Sequence, residues 1–272
     1  MEPMPAPTLT HIDTACVLLE IGGWRLLTDP TLDAPGQTYR FGWGTSSVKL
    51  SSPALSAHQI GAVDAVLLSH DQHADNLDTA GRAFALEAPI ILTTIPAARR
   101  IAAADDEALA FGMASGDSYA LSDNRRPDVL ITAVAARHRP AHWPEFTSGP
   151  VIGFVIESDA LPGGAVYLTG DTIVTDDQRR VGNDRIIGTL IPHVGTAGFP
   201  KTTRKARFTM SGVDAAELAL SLDAARVIPI HTEGWSHLLE RPEAIAAAFG
   251  ERGISRRLVM PEPGRPIPLT AG

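Results

Sequence analysis

The segment Ser69-His70-Asp71-Gln72-His73-Ala74-Asp75-Asn76 gathers two imidazoles and several side-chain oxygens in one short stretch. Neutral imidazole and carboxylate are the common protein ligands of zinc and related divalent ions. The arrangement His70-x-x-His73-x-Asp75-Asn76 therefore points to metal-assisted chemistry, in which a bound ion acidifies water and polarises the bond under attack. Capping of the helix that follows would account for one acid. It leaves both histidines without a role.

The chain has nine histidines, at 11, 58, 70, 73, 138, 142, 193, 231 and 237. Four of them come directly after short apolar runs. His70 follows Val66-Leu67-Leu68, and His138 follows Ile131-Thr132-Ala133-Val134. His193 follows Leu190-Ile191, and His231 follows Ile228-Pro229-Ile230. Asp171 follows Val166-Tyr167-Leu168 within Thr169-Gly170-Asp171-Thr172. Residues at the ends of packed strands are held rigidly and can converge from distant parts of the chain. A lone histidine is ordinarily a hydrogen-bonded core or surface residue. Five His or Asp positions at strand ends together are better explained by one shared site.

The elements that must position them follow from pattern. Cys16 to Ile21 and Trp24 to Thr28, joined by Gly22-Gly23, read as a β-hairpin ended by Asp29-Pro30. Residues 34–50, rich in Gly, Ser and Thr, read as a long loop. Val63 to Leu68 is a compact apolar run suited to a buried strand. Further strands are expected at Pro89 to Thr93, Asp128 to Val134, Val151 to Glu157, Ala165 to Leu168, Ile186 to Ile191, Val227 to Ile230 and Leu258 to Met260. Helices are expected over Thr79 to Leu86, Pro96 to Ala104, Gly212 to Leu222 (N-capped by Ser211) and Pro242 to Phe249. Hairpins mixed with βα units predict an α/β sandwich, helices outside and sheets inside. No Pro-, Gly- or Ser-rich linker divides the chain, so residues 1–272 are expected to form a single domain.

Composition narrows the partners. The 272 residues are 44% hydrophobic and 20% charged, with a formal net charge of −8. An acidic protein repels phosphate backbones, which argues against nucleic acid as a partner. The lone cysteine, Cys16, lies in an apolar run and reads as a buried strand thiol. MEPMPAPTLT lacks the basic and apolar stretches of an export leader, and no apolar run has the ~20 residues of a membrane span. The expectation is a cytoplasmic protein acting on a small molecule.

Taken in order, these motifs resemble the metallo-β-lactamase superfamily. That family's signature is a strand followed by His-x-His-x-Asp-His, a later His, an Asp in a Gly-Asp-Thr/Ser loop, and a final His after a strand. Here His70 to Asp75, His138, Asp171 in Gly170-Asp171-Thr172, and His231 come in that sequence. Leu9-Thr10-His11-Ile12-Asp13-Thr14-Ala15 and Thr28-Asp29-Pro30 resemble the family's opening strands. The nearest flavour is the ascorbate-6-phosphate-lactonase-like branch. The chain departs from the pattern at Gln72, where the second His is expected, and at Asn76, where the last is expected. Either His73 is that second histidine, one position late, or Gln72 replaces it. The first alignment is favoured because His73-x-Asp75 keeps the family's local spacing.

The resemblance implies a four-layer αββα sandwich and a metallohydrolase with one or two divalent ions, zinc foremost, manganese or iron as alternatives. It implies one site from His70, His73, His138 and Asp171, and a second from Asp75, Asn76, Asp171 and His231. An amide oxygen is a poorer zinc ligand than imidazole, so the second site is expected to be the weaker. Metal-bound hydroxide would attack a small ester, lactone or phosphodiester, with Asp75 as the catalytic residue orienting the water or taking its proton. Trp143, His193, His237 and Arg204 are expected on the substrate pocket, Arg204 within the basic run Lys201 to Arg207 as a partner for an anionic group. The alternatives are a non-hydrolytic redox member and a degenerate metal-binding member of the same fold.

Overall fold

The computed structural model describes residues 5–269, so the stretch read as lacking an export leader lies partly outside the described residues. In chain order the first strands are β1 (Thr8–Asp13), β2 (Cys16–Ile21), β3 (Trp24–Thr28), β4 (Thr38–Gly42) and β5 (Thr45–Val48). Helix α1 (Ala57–Ile60), β6 (Ala65–Leu67), α2 (Thr79–Leu86), β7 (Ile91–Thr94) and α3 (Ile95–Ala104) follow. Next come β8 (Ala110–Met113), β9 (Ser118–Asp123), β10 (Arg126–Ala135), β11 (Ile152–Glu157) and β12 (Ala165–Leu168). The last are α4 (Asp176–Arg180), β13 (Ile187–Ile191), α5 (Pro200–Thr203), α6 (Gly212–Ser221), β14 (Arg226–Val227), α7 (Pro242–Glu251) and β15 (Pro266–Pro268).

Two sheets result, ordered β15-β1-β2-β3-β6-β7-β8 and β14-β13-β12-β11-β10-β9. Successive side chains on a strand point to opposite faces, and that alternation assigns the layers. On β2, Leu19 faces the other sheet with Phe154, Ile131 and Leu168, while Leu18 faces outward with Ile60, Ala85 and Ile101 of α1 to α3. On β11, Phe154 and Ile156 enter the inter-sheet core, while Val155 packs with Leu218, Ile245 and Phe249 of α6 and α7. Apolar surface on both faces of both sheets is thereby buried, giving the four-layer αββα sandwich.

Local chemistry sets the boundaries. Asp78 caps α2 by accepting from the Gly81 amide, and Thr94 caps α3, with a proline in its first turn. Ser211 and Asp214 form a reciprocal capping box at α6. Three expectations need correction. Residues 34–50 are no plain loop: β4 and β5 form a hairpin turned by Trp43 and Gly44, both at positive φ (52° and 75°). A two-residue turn of this hand suits the strand twist, but β4 alternates aromatic with polar residues, β5 is mostly Ser and Thr, and neither shows an apolar run. Strands β8 and β9 were not anticipated. Leu258 makes only an isolated bridge to Val227, and β15 closes the first sheet instead. Among the described residues no helix is long and apolar enough to cross a membrane.

Strands β3, β6, β7 and β8 run parallel, as do β12, β13 and β14. The loops after β6, β10, β12 and β13 therefore open at one end of the sandwich. Helix α2 is seated against the Asp29-Pro30 turn, where a Cβ on Gly81 would stand 1.8 Å from the Pro30 carbonyl oxygen. Gly81→Ala is expected to lower unfolding free energy by about 1–3 kcal/mol, read as a shift of the urea midpoint. An unchanged midpoint would contradict this packing.

Candidate metal centre

The loops at that end bring together two groups of ligand-type side chains. His70, from the loop after β6, has Nε2 3.0 Å from Nδ1 of His73, and Nε2 of His138, after β10, is 3.1 Å from the same atom. One ligand atom from each lies within 4.8 Å of the others. The far nitrogens of two rings are already engaged: His70 Nδ1 with Ser69 Oγ (3.0 Å) and His138 Nδ1 with the Phe208 carbonyl (2.9 Å). Such outer contacts fix ring orientation and leave Nε2 facing inward. Asp75, His231 and His237 form the second group. Asp75 Oδ2 lies 3.1 Å from His231 Nε2 and 3.0 Å from His237 Nε2, and His237 Nδ1 meets Ser47 Oγ at 2.7 Å.

Asp171, at the end of β12, stands between the groups. Its Oδ1 is 2.9 Å from His193 Nδ1. Its Oδ2 is 3.7 Å from His138 Nε2 and 3.6 Å from His231 Nε2, too long for hydrogen bonds. That buried oxygen has no hydrogen-bond partner, nor has Asp75 Oδ1. A buried carboxylate oxygen without a donor carries a desolvation cost of a few kcal/mol. An unpartnered Asp171 Oδ2 facing two imidazoles, with a second unpartnered oxygen on Asp75, fits a cation-binding centre.

Protonation agrees with this. Burial, and then the neighbouring His138, push His73 down to about 4, and His70 is lowered well below its usual value by burial and by His73. Both rings are thus neutral at pH 7 with lone pairs available. Burial alone would raise Asp75 and Asp171, but the histidines around them outweigh it and keep both ionised. His231 goes the other way: burial opposes its charge, yet Asp171 and Asp75 prevail and raise it to about 9.

His73 lies in the first group, whereas Gln72 turns away and donates to the Ser148 and Pro150 carbonyls (3.2 and 3.1 Å), tying down the loop beneath them. The geometry is that of the alignment in which His73 is the late second histidine. Asn76, expected beside Asp75 and His231, instead has its amide nitrogen 3.3 Å from Asp29 Oδ2. His237 takes that place in the second group. His193 is buried behind Asp171 and stacked on His231, so it does not line a pocket. Arg204 is exposed beyond α5 and is not among the pocket-lining residues. Trp143 does line the pocket, packed edge-on against Phe208 at 5.5 Å. Cys16 is buried in β2, and burial raises its thiol well above the usual range.

Sequence reasoning expected His237 on the pocket, which it lines, but not in a ligand-type group, and it gave Asp29 no part in the centre. His237 sits in an irregular stretch aligned with residues 47–50 through the bridge from Lys49 to Trp235, a pairing 186 positions apart along the chain. Its one signal was the Trp and His content of 233–237. Asp29 is buried beneath the first loop, where its Oδ1 accepts from the Ser69 amide at 2.7 Å. The Thr28-Asp29-Pro30 turn was noted only as a strand end.

A family model described as a beta-lactamase superfamily domain matches residues 8–231. The chain belongs to the metallo-β-lactamase superfamily. A metal-dependent hydrolase of Pyrobaculum aerophilum is 28% identical over 255 residues, covering 92% of this chain and 94% of the relative. Two solved structures share the fold of this superfamily member. The isothiocyanate hydrolase from Delia radicum gut bacteria gives a TM-score of 0.79 at 19% identity, over 97% of this chain and 100% of its own. A possible metal-dependent hydrolase from Veillonella parvula gives 0.78 at 20%, with the same coverage. Like the Pyrobaculum aerophilum relative, the chain is a metal-dependent hydrolase.

Metal binding at the second group should be proton-linked. A histidine must lose its proton to ligate, and His231 holds one up to about pH 9. Apparent affinity there is expected to rise roughly tenfold per pH unit from 7 toward 9, in titrations against a competing chelator. A flat profile would refute the charge assigned to His231.

Proposed function

We propose that this superfamily member hydrolyses small, uncharged esters or lactones bearing an apolar group, with two divalent ions held by the two side-chain groups. His70, His73 and His138 would hold one ion, and Asp75, His231 and His237 the other, with Asp171 between them. Nitrogen-rich sets of this kind suit zinc. With His237 in place of Asn76, the reason to expect a weak second site disappears. Ions so held would acidify water and polarise the substrate carbonyl.

The protein's own residues do the rest. His193 fixes one oxygen of Asp171 and leaves the other free toward both groups. Asp75 keeps its charge, since the His231 and His237 contacts outweigh burial. A carboxylate that resists protonation is a poor base. Asp75 thus serves as a ligand whose free Oδ1 orients the attacking water.

The observation that carries the substrate class is the pocket wall. A narrow cleft opens over His73, Asp75, His138 and His237, walled by Phe41, Trp43, Trp143, Phe199 and Phe208. Its other lining residues are Thr45, Thr147, Ser148, Ala197 and Thr203, with no Lys or Arg. Of the basic run, Arg207 is already paired with Asp214 at 2.9 Å. Beyond the two ions the wall offers no cation, so it favours neutral groups and penalises an anion held away from the ions and stripped of water. That argues against phosphorylated lactones. Trp43 and Phe146, 66% and 69% exposed with ring centroids 5.6 Å apart, form an aromatic rim to which a flat substrate group can dock. The isothiocyanate hydrolase of the same fold acts, by its name, on another neutral electrophile, so an aryl isothiocyanate belongs in the substrate panel.

One feature favours a second reading. Asp75, His231 and His237 make a two-histidine, one-carboxylate set of the type used by non-haem iron oxygenases. Iron in the purified protein together with dioxygen uptake would support it.

The test is a zinc-reloaded protein assayed on aryl esters, lactones, an aryl isothiocyanate and bis(p-nitrophenyl) phosphate. At least a tenfold preference in kcat/KM for a neutral substrate is expected, and a preference for the phosphodiester would sink the proposal. Trp143→Ala removes wall area that grips substrate and transition state alike. It is expected to raise KM for an aryl ester about tenfold while kcat stays within about twofold.

A further inference from the structure

We infer that the buried lysine Lys49 is the positioning residue of the second ligand group; the inference rests on the two-ion reading above. Lys49 follows β5 and is fully buried, with Nζ 2.8 Å from Asp13 Oδ2 and 2.9 Å from Asp78 Oδ2. Both carboxylates are buried as well. A buried ammonium persists only when its partners are held in good geometry, so these three residues lock their segments to one another. Each segment leads to one member of the second group.

Asp13 ends β1, and the carbonyl of the next residue, Thr14, accepts from the His231 amide at 2.8 Å. His231 has φ of 59°, a left-handed conformation that a non-glycine residue keeps only when its surroundings over-determine it. Asp78 lies three residues after Asp75, and it also accepts from the Leu32, Asp33 and Gly81 amides at 2.8 Å. That bonding anchors the turn that presents Asp75. Lys49 itself sits in a stretch aligned with residues 234–237. The Leu50 amide donates to the Gly234 carbonyl at 2.7 Å, and the Ser236 amide to the Val48 carbonyl at 3.0 Å. In the same stretch Ser47 Oγ holds His237 Nδ1. One cation thus ties together the three strands of chain that deliver Asp75, His231 and His237. None of its contacts reaches His70, His73 or His138. A residue of this kind acts on metal affinity through the ligands it holds, by about ten- to hundredfold for outer contacts.

The test is cobalt(II) titration of wild type, Lys49→Met, Asp13→Asn and His231→Ala, read by visible absorption and by bound metal per chain. Wild type is expected to take up two ions. Lys49→Met and Asp13→Asn should keep the first at unchanged affinity and bind the second ten- to hundredfold more weakly, with the one-ion spectrum of His231→Ala. A merely structural lysine would lower melting temperature and weaken both ions or neither. Asp13→Asn preserves shape and leaves Lys49 paired with Asp78, so the test stands if Lys49→Met fails to fold. A second ion bound within twofold of wild type in the folded variants overturns this inference alone. One ion in wild type, unaffected by His231→Ala, overturns the two-ion reading and this inference with it.

Discussion

The carboxylate of Asp171 is the constraint around which the rest of the centre is arranged. It is buried, ionised and only half satisfied: one oxygen meets His193, while the other faces His138 and His231 beyond hydrogen-bonding reach. Removing such a charge from water is costly unless positive charge faces it. In the protein alone, part of that charge is the proton on His231, whose raised pKa is the reciprocal of the lowered pKa of Asp171. A centre built this way has a place for cations before any arrive.

The αββα sandwich makes that arrangement possible without disturbing the core. His70, His138 and Asp171 follow closely on strands whose two faces are committed to apolar layers, while His73, Asp75, His231 and His237 sit further along loops at the same end. The strands supply rigidity and the loops supply the donors. The cost of orienting the donors falls on contacts outside the centre: Ser69 behind His70, the Phe208 carbonyl behind His138, Asp29 under Ser69, and Lys49 under the second group. These contacts also explain why the centre tolerates Gln72 and Asn76 at positions where the superfamily pattern has histidine. Gln72 serves the 139–150 loop and Asn76 serves Asp29, while His73 and His237 occupy the places between.

The same hairpin that reaches the second group also shapes the pocket. Strands β4 and β5 carry Phe41 and Thr45 to its wall and Trp43 to its rim, and Lys49 pins the hairpin's base in the core. The pocket wall and the second side-chain group are thereby coupled through one short element.

Much of this was present in the order of residues. Apolar runs of the right length marked β2, β3, β11, β12 and β13, and the capping residue Ser211 marked α6, because burial and end-capping act over a few neighbouring residues. His70, His73, Asp75, His138, Asp171 and His231 could be singled out because each follows such a run. What only the tertiary structure decided is whatever depends on contact between distant segments. The β4–β5 hairpin has no apolar signature of its own, since its aromatic residues face the site rather than the core. His237 became a member of the centre, and Asn76 ceased to be one, through the bridge from Lys49 to Trp235 and the hydrogen bond to Asp29. His193 moved from pocket wall to support of Asp171 for the same reason. Ligand chemistry is written in residue type and local spacing. Which donors meet is settled by the packing of two sheets and by a buried charge that draws three segments to one point.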